Sequence, residues 1–221
     1  MIYDFHTQTT LSDGDLSPIE QIRRAVVNGY AAIALTDHAG LADSEHVLKS
    51  LVAACETARR YWNIIAIPGL ELTHLPPAAI PEAARWARSH GARLVVVHGE
   101  TIVEPVLPGT NHAAVLCPDV DILGHPGLLS DEDARLAAAS GVFIEISARK
   151  GHSFTNGHVV VVGRQAGVRF LVNSDAHDPE DLLTGEFAQA VALGAGLHQP
   201  EVIEVLQDNP LLLLERIRRR S

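Results

Sequence analysis

The 221-residue chain has little cysteine, no long apolar run and no excess of positive charge, and each shortage excludes a class of protein. Its two cysteines, Cys55 and Cys117, lie far apart, so neither a disulfide framework nor a CxxC metal site is available. A reducing cytoplasm is the expected compartment. No apolar stretch approaches the roughly 18–20 residues needed to cross a bilayer. The opening MIYDFHTQT has neither the basic start nor the apolar core of a signal peptide. Seventeen lysines and arginines face 27 aspartates and glutamates, a formal net charge of −10 that argues against nonspecific binding to nucleic acid or an anionic membrane. Linkers, low-complexity segments and internal sequence repeats are also missing. With 47% hydrophobic residues, one domain over 1–221 around one core is the expected organisation.

Short β-branched apolar runs alternate with amphipathic segments along the chain. Strands are expected at 2–5, 31–35, 64–67 running on to 72, 94–97, 120–123, 142–146 and 168–172, and helices at 17–28, 44–61, 81–90, 131–140 and 157–165. Ser17 and Ser130 read as helix N-caps, and Gly29, Gly91, Gly141 and Gly167 as left-handed C-caps. Continuous apolar strands between helices imply a parallel sheet covered on both faces. The fold class is therefore α/β, and a β/α barrel would gather the strand C-termini at one mouth.

Histidine is abundant, with twelve residues. His46, His90 and His198 fall in polar helical stretches and are expected to face solvent. His112 and His158 fit neither group, while six others stand with carboxylates where strands end: His6, Asp37-His38, Glu71 with His74, His98, His125, Glu145, and Asp175 with His177. Carboxylates and imidazoles crowded on one rim would repel or be desolvated at a cost unless cations lie among them. Nitrogen and oxygen donors without thiolate suit Zn²⁺, Mn²⁺ or Fe²⁺. The donors outnumber one ion's needs, so two or three divalent ions are expected. Closely spaced ions clamp the attacking and leaving oxygens of a displacement and generate hydroxide near neutral pH, which is hydrolytic chemistry suited to phosphate esters.

The motifs DFHTQTTLSDG, ALTDH, GLELTH, VVVHG, ILGHP and NSDAH, in this order, resemble the PHP (polymerase and histidinol phosphatase) family, in its short histidinol-phosphatase-domain form. The resemblance spans essentially the whole chain. It implies a distorted (β/α)7 barrel and a trinuclear phosphoesterase site. By motif position, one ion takes His6, Gln8, Glu71 and Asp175, a second Asp13, His38 and His177, and a third Glu71, His98 and His125, with Glu71 bridging. Asp37 is expected to orient His38, and His74 and Glu145 to support other ligands. Position 8 departs from the family's HxH motif. An amide oxygen is a weaker transition-metal ligand than imidazole, so Gln8 either ligates weakly or hydrogen-bonds a metal-bound water.

After the sixth strand, EISARKGHSFTNGH offers Arg149, Lys150, His152 and Asn156 as donors to a phosphoryl group, with Arg149 the principal anchor. Asp175 and His177 are further candidates for proton movement. The segment 98–111, with Glu100 and Glu104, reads as a wall or lid. Arg216, Arg218, Arg219 and Arg220 are expected to complement the last helix. The leading function is a metal-dependent phosphoesterase acting on a small phosphorylated molecule, monoester first, diester or triester next. The alternatives are a noncatalytic metal-binding accessory domain and an amidohydrolase-like C–N hydrolase.

Overall fold

A computed structural model describes residues 1–220. Strands β1 (Ile2–Asp4), β2 (Tyr30–Leu35), β4 (Ile65–Leu72), β5 (Leu94–His98), β6 (Ile122–Gly124), β7 (Phe143–Ser147) and β8 (Phe170–Asn173) lie side by side in that order, every adjacent pair parallel. A two-residue β3 (His38–Ala39) prolongs the line of β2 and pairs with the end of β4. The seam between β1 and β8 closes through a bridge at Thr7 and Ala176 and through the Asp175 N–H on the His6 carbonyl at 2.9 Å. Side chains complete it, since Asn173 Oδ1 accepts from Phe5 N at 3.0 Å and Asp4 Oδ1 accepts from Ser174 N at 3.1 Å. The result is a nearly closed seven-stranded barrel of the expected kind.

Each crossover carries helix: α1 (Pro18–Val27), α2 (Ser44–Tyr61), α3 (Ile80–Ser89), α4 (Thr110–Leu116), α5 (Asp131–Ser140) and α6 (Asn156–Ala166). After β8 come α7 (Gly185–Gly194), α8 (Gln199–Ile203) and α9 (Asn209–Arg219). None of the described helices is long and apolar enough to cross a membrane. The four C-cap glycines all have positive φ, between 75° and 109°, as a residue ending a helix in the left-handed region must. Of the two serine caps, Ser130 accepts the Asp133 N–H, whereas the Ser17 side chain makes no cap bond.

Alternation along the strands splits the core in two. Val95, Val97, Ile33, Leu35 and Ile144 face the helices. Tyr3, Phe5, Ala32, Ala34, Ile67, Leu94, Val96, Ile122, Phe143 and Leu171 fill the barrel, and Leu213 and Ile217 of α9 join them. The last helix thus stops the mouth at the strand N-termini. Its arginines do more than complement a helix end. Arg216 donates to the Gly141 carbonyl at 2.7 Å and lies over the Phe143 ring, and Arg220 meets the buried carboxylate of Asp121 at 2.8 Å. Arg88 from α3 meets the other oxygen of Asp121, which also accepts the Val95 N–H.

Asp121→Ala should therefore destabilise the fold by about 3 kcal/mol, mostly through the Arg88 charge left partly buried, because the half-exposed Arg220 is screened. Urea unfolding would measure it. A change within experimental error would mean that these arginines only neutralise the helix end.

Candidate metal centre

The same alternation that fills the barrel builds its upper mouth. Two residues at a time, the inward positions run Ile67, Gly69, Glu71 in β4, Leu94, Val96, His98 in β5, Phe143, Glu145 in β7, and Leu171, Asn173 and on to Asp175 after β8. Apolar members lie below and polar members above. On β6 the inward position is Gly124, where a Cβ would stand 3.2 Å from the His6 ring, so the missing side chain makes room for that imidazole. His125 and Asp175 leave their strands with φ of 22° and 52°, left-handed conformations that cost a non-glycine residue about 1–3 kcal/mol and cluster at functional sites.

Glu71 is the hub and is wholly buried. Its Oε2 lies 2.9 Å from His6 Nε2, 2.8 Å from His38 Nδ1 and 2.7 Å from Gln8 Nε2, while Oε1 lies 3.3 Å from His125 Nε2. Burial opposes ionisation of Glu71, but the imidazoles of His6 and His38 outweigh it and hold its pKa well below the ordinary value. Burial likewise disfavours charge on His6, and there Glu71, Glu145 and Asp175 prevail and raise its pKa well above the usual one. Glu145 Oε2 is 2.7 Å from His6 Nδ1 and fixes the ring, the supporting role expected of it.

Beside this group, Asp13, His38 and His177 converge, with Asp13 Oδ1 3.3 Å from His177 Nε2 and 3.7 Å from His38 Nε2. His177 Nδ1 lies 2.9 Å from the Asp175 carbonyl, an acceptor only, so Nδ1 carries a proton there and the ring turns Nε2 toward Asp13. Asp37 does not touch the His38 ring. It accepts from the backbone and hydroxyls of Thr9 and Ser12 and so folds the turn that carries Asp13. Thr73 Oγ1, on the same strand face as Glu71, reaches His38 Nδ1 at 2.7 Å. His74 is exposed, its ring 5.3 Å from that of His98.

The loops rearrange the remaining expectations. His98 turns Nε2 to Glu104 at 3.0 Å, and Glu104 also faces His152 Nε2 at 3.4 Å. Glu100 instead caps α4, accepting from Gly109 N and Asn111 N, so only one of the two loop carboxylates reaches the site. His152 is buried and stacked 4.1 Å from His125, with Nδ1 at 2.7 Å from the Thr101 hydroxyl and Nε2 3.8 Å from Asp175 Oδ2. Burial and the neighbouring His125 push its pKa down to about 3, so it lies against carboxylates as a neutral ring. Asn156 is not among the residues that line the cavity; its Oδ1 accepts the Ser147 N–H and its Nδ2 donates to the Ser147 carbonyl. Lys150 points to solvent outside the cavity. Arg149 lines a cavity of about 490 Å³ together with Asp13, His38, His98, Glu104, His152, Asp175 and His177, and its NH1 lies 3.3 Å from the Asp175 carbonyl.

Residues 3–189 match the model of the PHP domain. The chain belongs to the PHP family. It is 47% identical over 218 residues to the uncharacterized protein MJ1295 of Methanocaldococcus jannaschii, covering 98% of this chain and all of that one. Its fold is similar to histidinol phosphate phosphatase from Lactococcus lactis, solved with zinc, L-histidinol and phosphate, at a TM-score of 0.61 and 14% identity over 89% and 94% of the two chains. It is also similar to a chain in an archaeal ribonuclease P solved with mature tRNA, at a TM-score of 0.68 and 14% identity over 98% and 90%.

The polar groups of this PHP chain suit divalent ions. Side-chain donor atoms from His6, Glu71 and His125, from Asp13, His38 and His177, and from His125, His152 and Asp175 lie within 4.8 Å of one another in each set. His98 stands outside these sets, although its ring lies 4.4 Å from that of His125. Among the described residues, nine buried side-chain atoms have no hydrogen-bond partner, and five belong to Glu71, His98, His125 and Asp175. Orphaned lone pairs concentrated at one buried spot are costly and are relieved by a cation.

Because Glu71 touches His6, His38 and His125 at once, Glu71→Ala should lose more metal than any single histidine substitution after loading with Mn²⁺ or Zn²⁺. Elemental analysis checks this. An equal loss in His125→Ala would remove Glu71 from its central place.

Proposed function

We propose that the protein is a metal-dependent phosphoesterase that acts on small phosphomonoesters, with diesters and triesters as lesser substrates. The observation that carries this reading is a cavity whose only guanidinium or ammonium group, Arg149, is set against clustered imidazoles and carboxylates. Its volume, about 490 Å³, suits a small ligand. Membership of the PHP family and the fold likeness to a histidinol phosphate phosphatase solved with zinc and phosphate support it. Two or three ions of Zn²⁺, Mn²⁺ or Fe²⁺ would be held by His6, Asp13, His38, Glu71, His98, His125, Asp175 and His177, and such ions supply Lewis acidity and acidify water.

The chain's own groups do the rest. Arg149 is fixed from behind by the Asp175 carbonyl and by Asp181 at 3.6 Å, so its remaining N–H groups present a planar fork to phosphoryl oxygens. The Asp175 carbonyl holds the His177 ring at Nδ1 and Glu145 holds the His6 ring at Nδ1, which keeps both Nε2 atoms turned inward. Four carboxylates line the cavity, Asp13, Asp43, Glu104 and Asp175, and they repel a phosphate dianion unless cations compensate them. Substrate binding thus depends on the metal. An amide substrate has no use for the Arg149 fork, which favours phosphoester over C–N cleavage.

The likeness to a ribonuclease P chain supports a second reading, a noncatalytic member of an assembly. A panel of monoester, diester, triester and amide, run with Mn²⁺ and Zn²⁺, separates the readings: monoester hydrolysis is expected, and a fully loaded protein inert on the panel would favour the second. Arg149→Ala should lower kcat/KM on phosphomonoesters roughly ten- to a hundredfold, about 1.5–3 kcal/mol, with metal content unchanged. Unaltered kinetics would make Arg149 a bystander.

A further inference from the structure

Gln8 is buried at the point where His6, Glu71 and His38 meet, and its amide is turned by partners that cannot exchange roles. The backbone N–H of His38 can only donate, and it lies 3.0 Å from Oε1. The Glu71 carboxylate accepts, and its Oε2 lies 2.7 Å from Nε2. The amide nitrogen therefore faces the carboxylate and stands 3.3 Å from His6 Nε2. An ion seated between His6 Nε2, Glu71 Oε2 and Asp175 Oδ1 would meet amide hydrogens where a lone pair is needed.

Turning the amide over does not help. It would set the NH2 against the His38 N–H, donor on donor, and take the donor from Glu71, all inside a buried site. Nor is the backbone free to carry the oxygen round. Gln8 N donates to the Ala176 carbonyl at 2.8 Å across the barrel seam. The turn that follows lies so close on residue 8 that a Cβ at Gly14 would stand 2.4 Å from the Gln8 carbonyl oxygen.

We infer that Gln8 is a positioning residue and not a ligand: its carboxamide braces Glu71 and takes the place of one ion, leaving a two-ion centre. The inference rests on the metal-dependent reading above and departs from the three-ion site that the family resemblance implies. The two remaining positions use atoms turned away from the amide. Glu71 Oε1 and His125 Nε2 face each other at 3.3 Å, and Asp13, His38 Nε2 and His177 Nε2 converge on the other side.

The experiment is a metal count on the full chain, loaded with Mn²⁺ or Zn²⁺ and desalted, with anomalous scattering to place each ion. Two ions per chain are expected in the wild type, neither contacting residue 8. Gln8→Leu removes both amide groups and should still hold two, whereas a lost ion would identify Gln8 as a ligand. Gln8→His should hold three, the added ion lying beside His6 and Asp175. Three ions in the wild type, or two in a folded Gln8→His, would overturn the inference, and should that variant not fold, the wild-type and Gln8→Leu counts decide. Activity is scored separately, so an inactive two-ion protein would overturn the phosphoesterase reading alone and an active three-ion protein this inference alone.

Discussion

The carboxylate of Glu71 is the constraint on which the upper mouth depends. One oxygen collects three nitrogens, from His6, His38 and Gln8, and the other faces His125. Its backbone is equally committed, because Glu71 N points to the carbonyls of Thr36 and Asp37, and the residue pairs with His38 on one side and Val96 on the other. Side chain and main chain thus tie β2, β3, β4 and β5 to a single charged group. A buried carboxylate survives only when its neighbours answer its charge, and here they are the same imidazoles that qualify as metal donors. Stability of the mouth and capacity for metal are one arrangement.

The two ends of the barrel have opposite chemistry, and the parallel sheet is the reason. Every strand runs the same way, so all strand C-termini and the loops after them open at one mouth, while helices return to the other. Imidazoles and carboxylates gather at the first. At the second, Arg88, Arg216 and Arg220 converge on Asp121 and the Gly141 carbonyl, and α9 lays Leu213 and Ile217 into the barrel. The closed end bears the packing. Left-handed His125 and Asp175 and five of the nine orphaned polar atoms lie at the open end, where the structure tolerates strain.

Loop contacts refine the site beyond the strand ends. Asn111 accepts from Glu100 N and donates to the Pro126 carbonyl, riveting the loop after β5 to the loop after β6. From that anchored loop Thr101 steadies His152 and Glu104 covers His98. The loops after β5 and β7 therefore share the cavity wall beside Arg149, and the loop after β6 holds the first of them in place.

The barrel, its seven strands and the residues at their ends were legible in the sequence because the signals are local. A strand shows as an apolar run, a helix end as a glycine with left-handed freedom, and period-two alternation carries Glu71, His98 and Glu145 inward once the strand register is known. The motif order supplied the rest of the ligand candidates. Contacts across the closed barrel were not legible. Nothing near His152 announces that it stacks on His125, nothing near Asn156 that it is spent on Ser147, and nothing near Asp37 that it serves the turn at Thr9 and Ser12 instead of His38. The direction of the Gln8 amide is of the same kind, since it is decided by a backbone N–H thirty residues away and a carboxylate sixty-three residues away. By itself the sequence determined which side chains would reach the mouth. Which atoms of those side chains remain free there was decided only when the seam between β1 and β8 closed and brought distant donors and acceptors within reach.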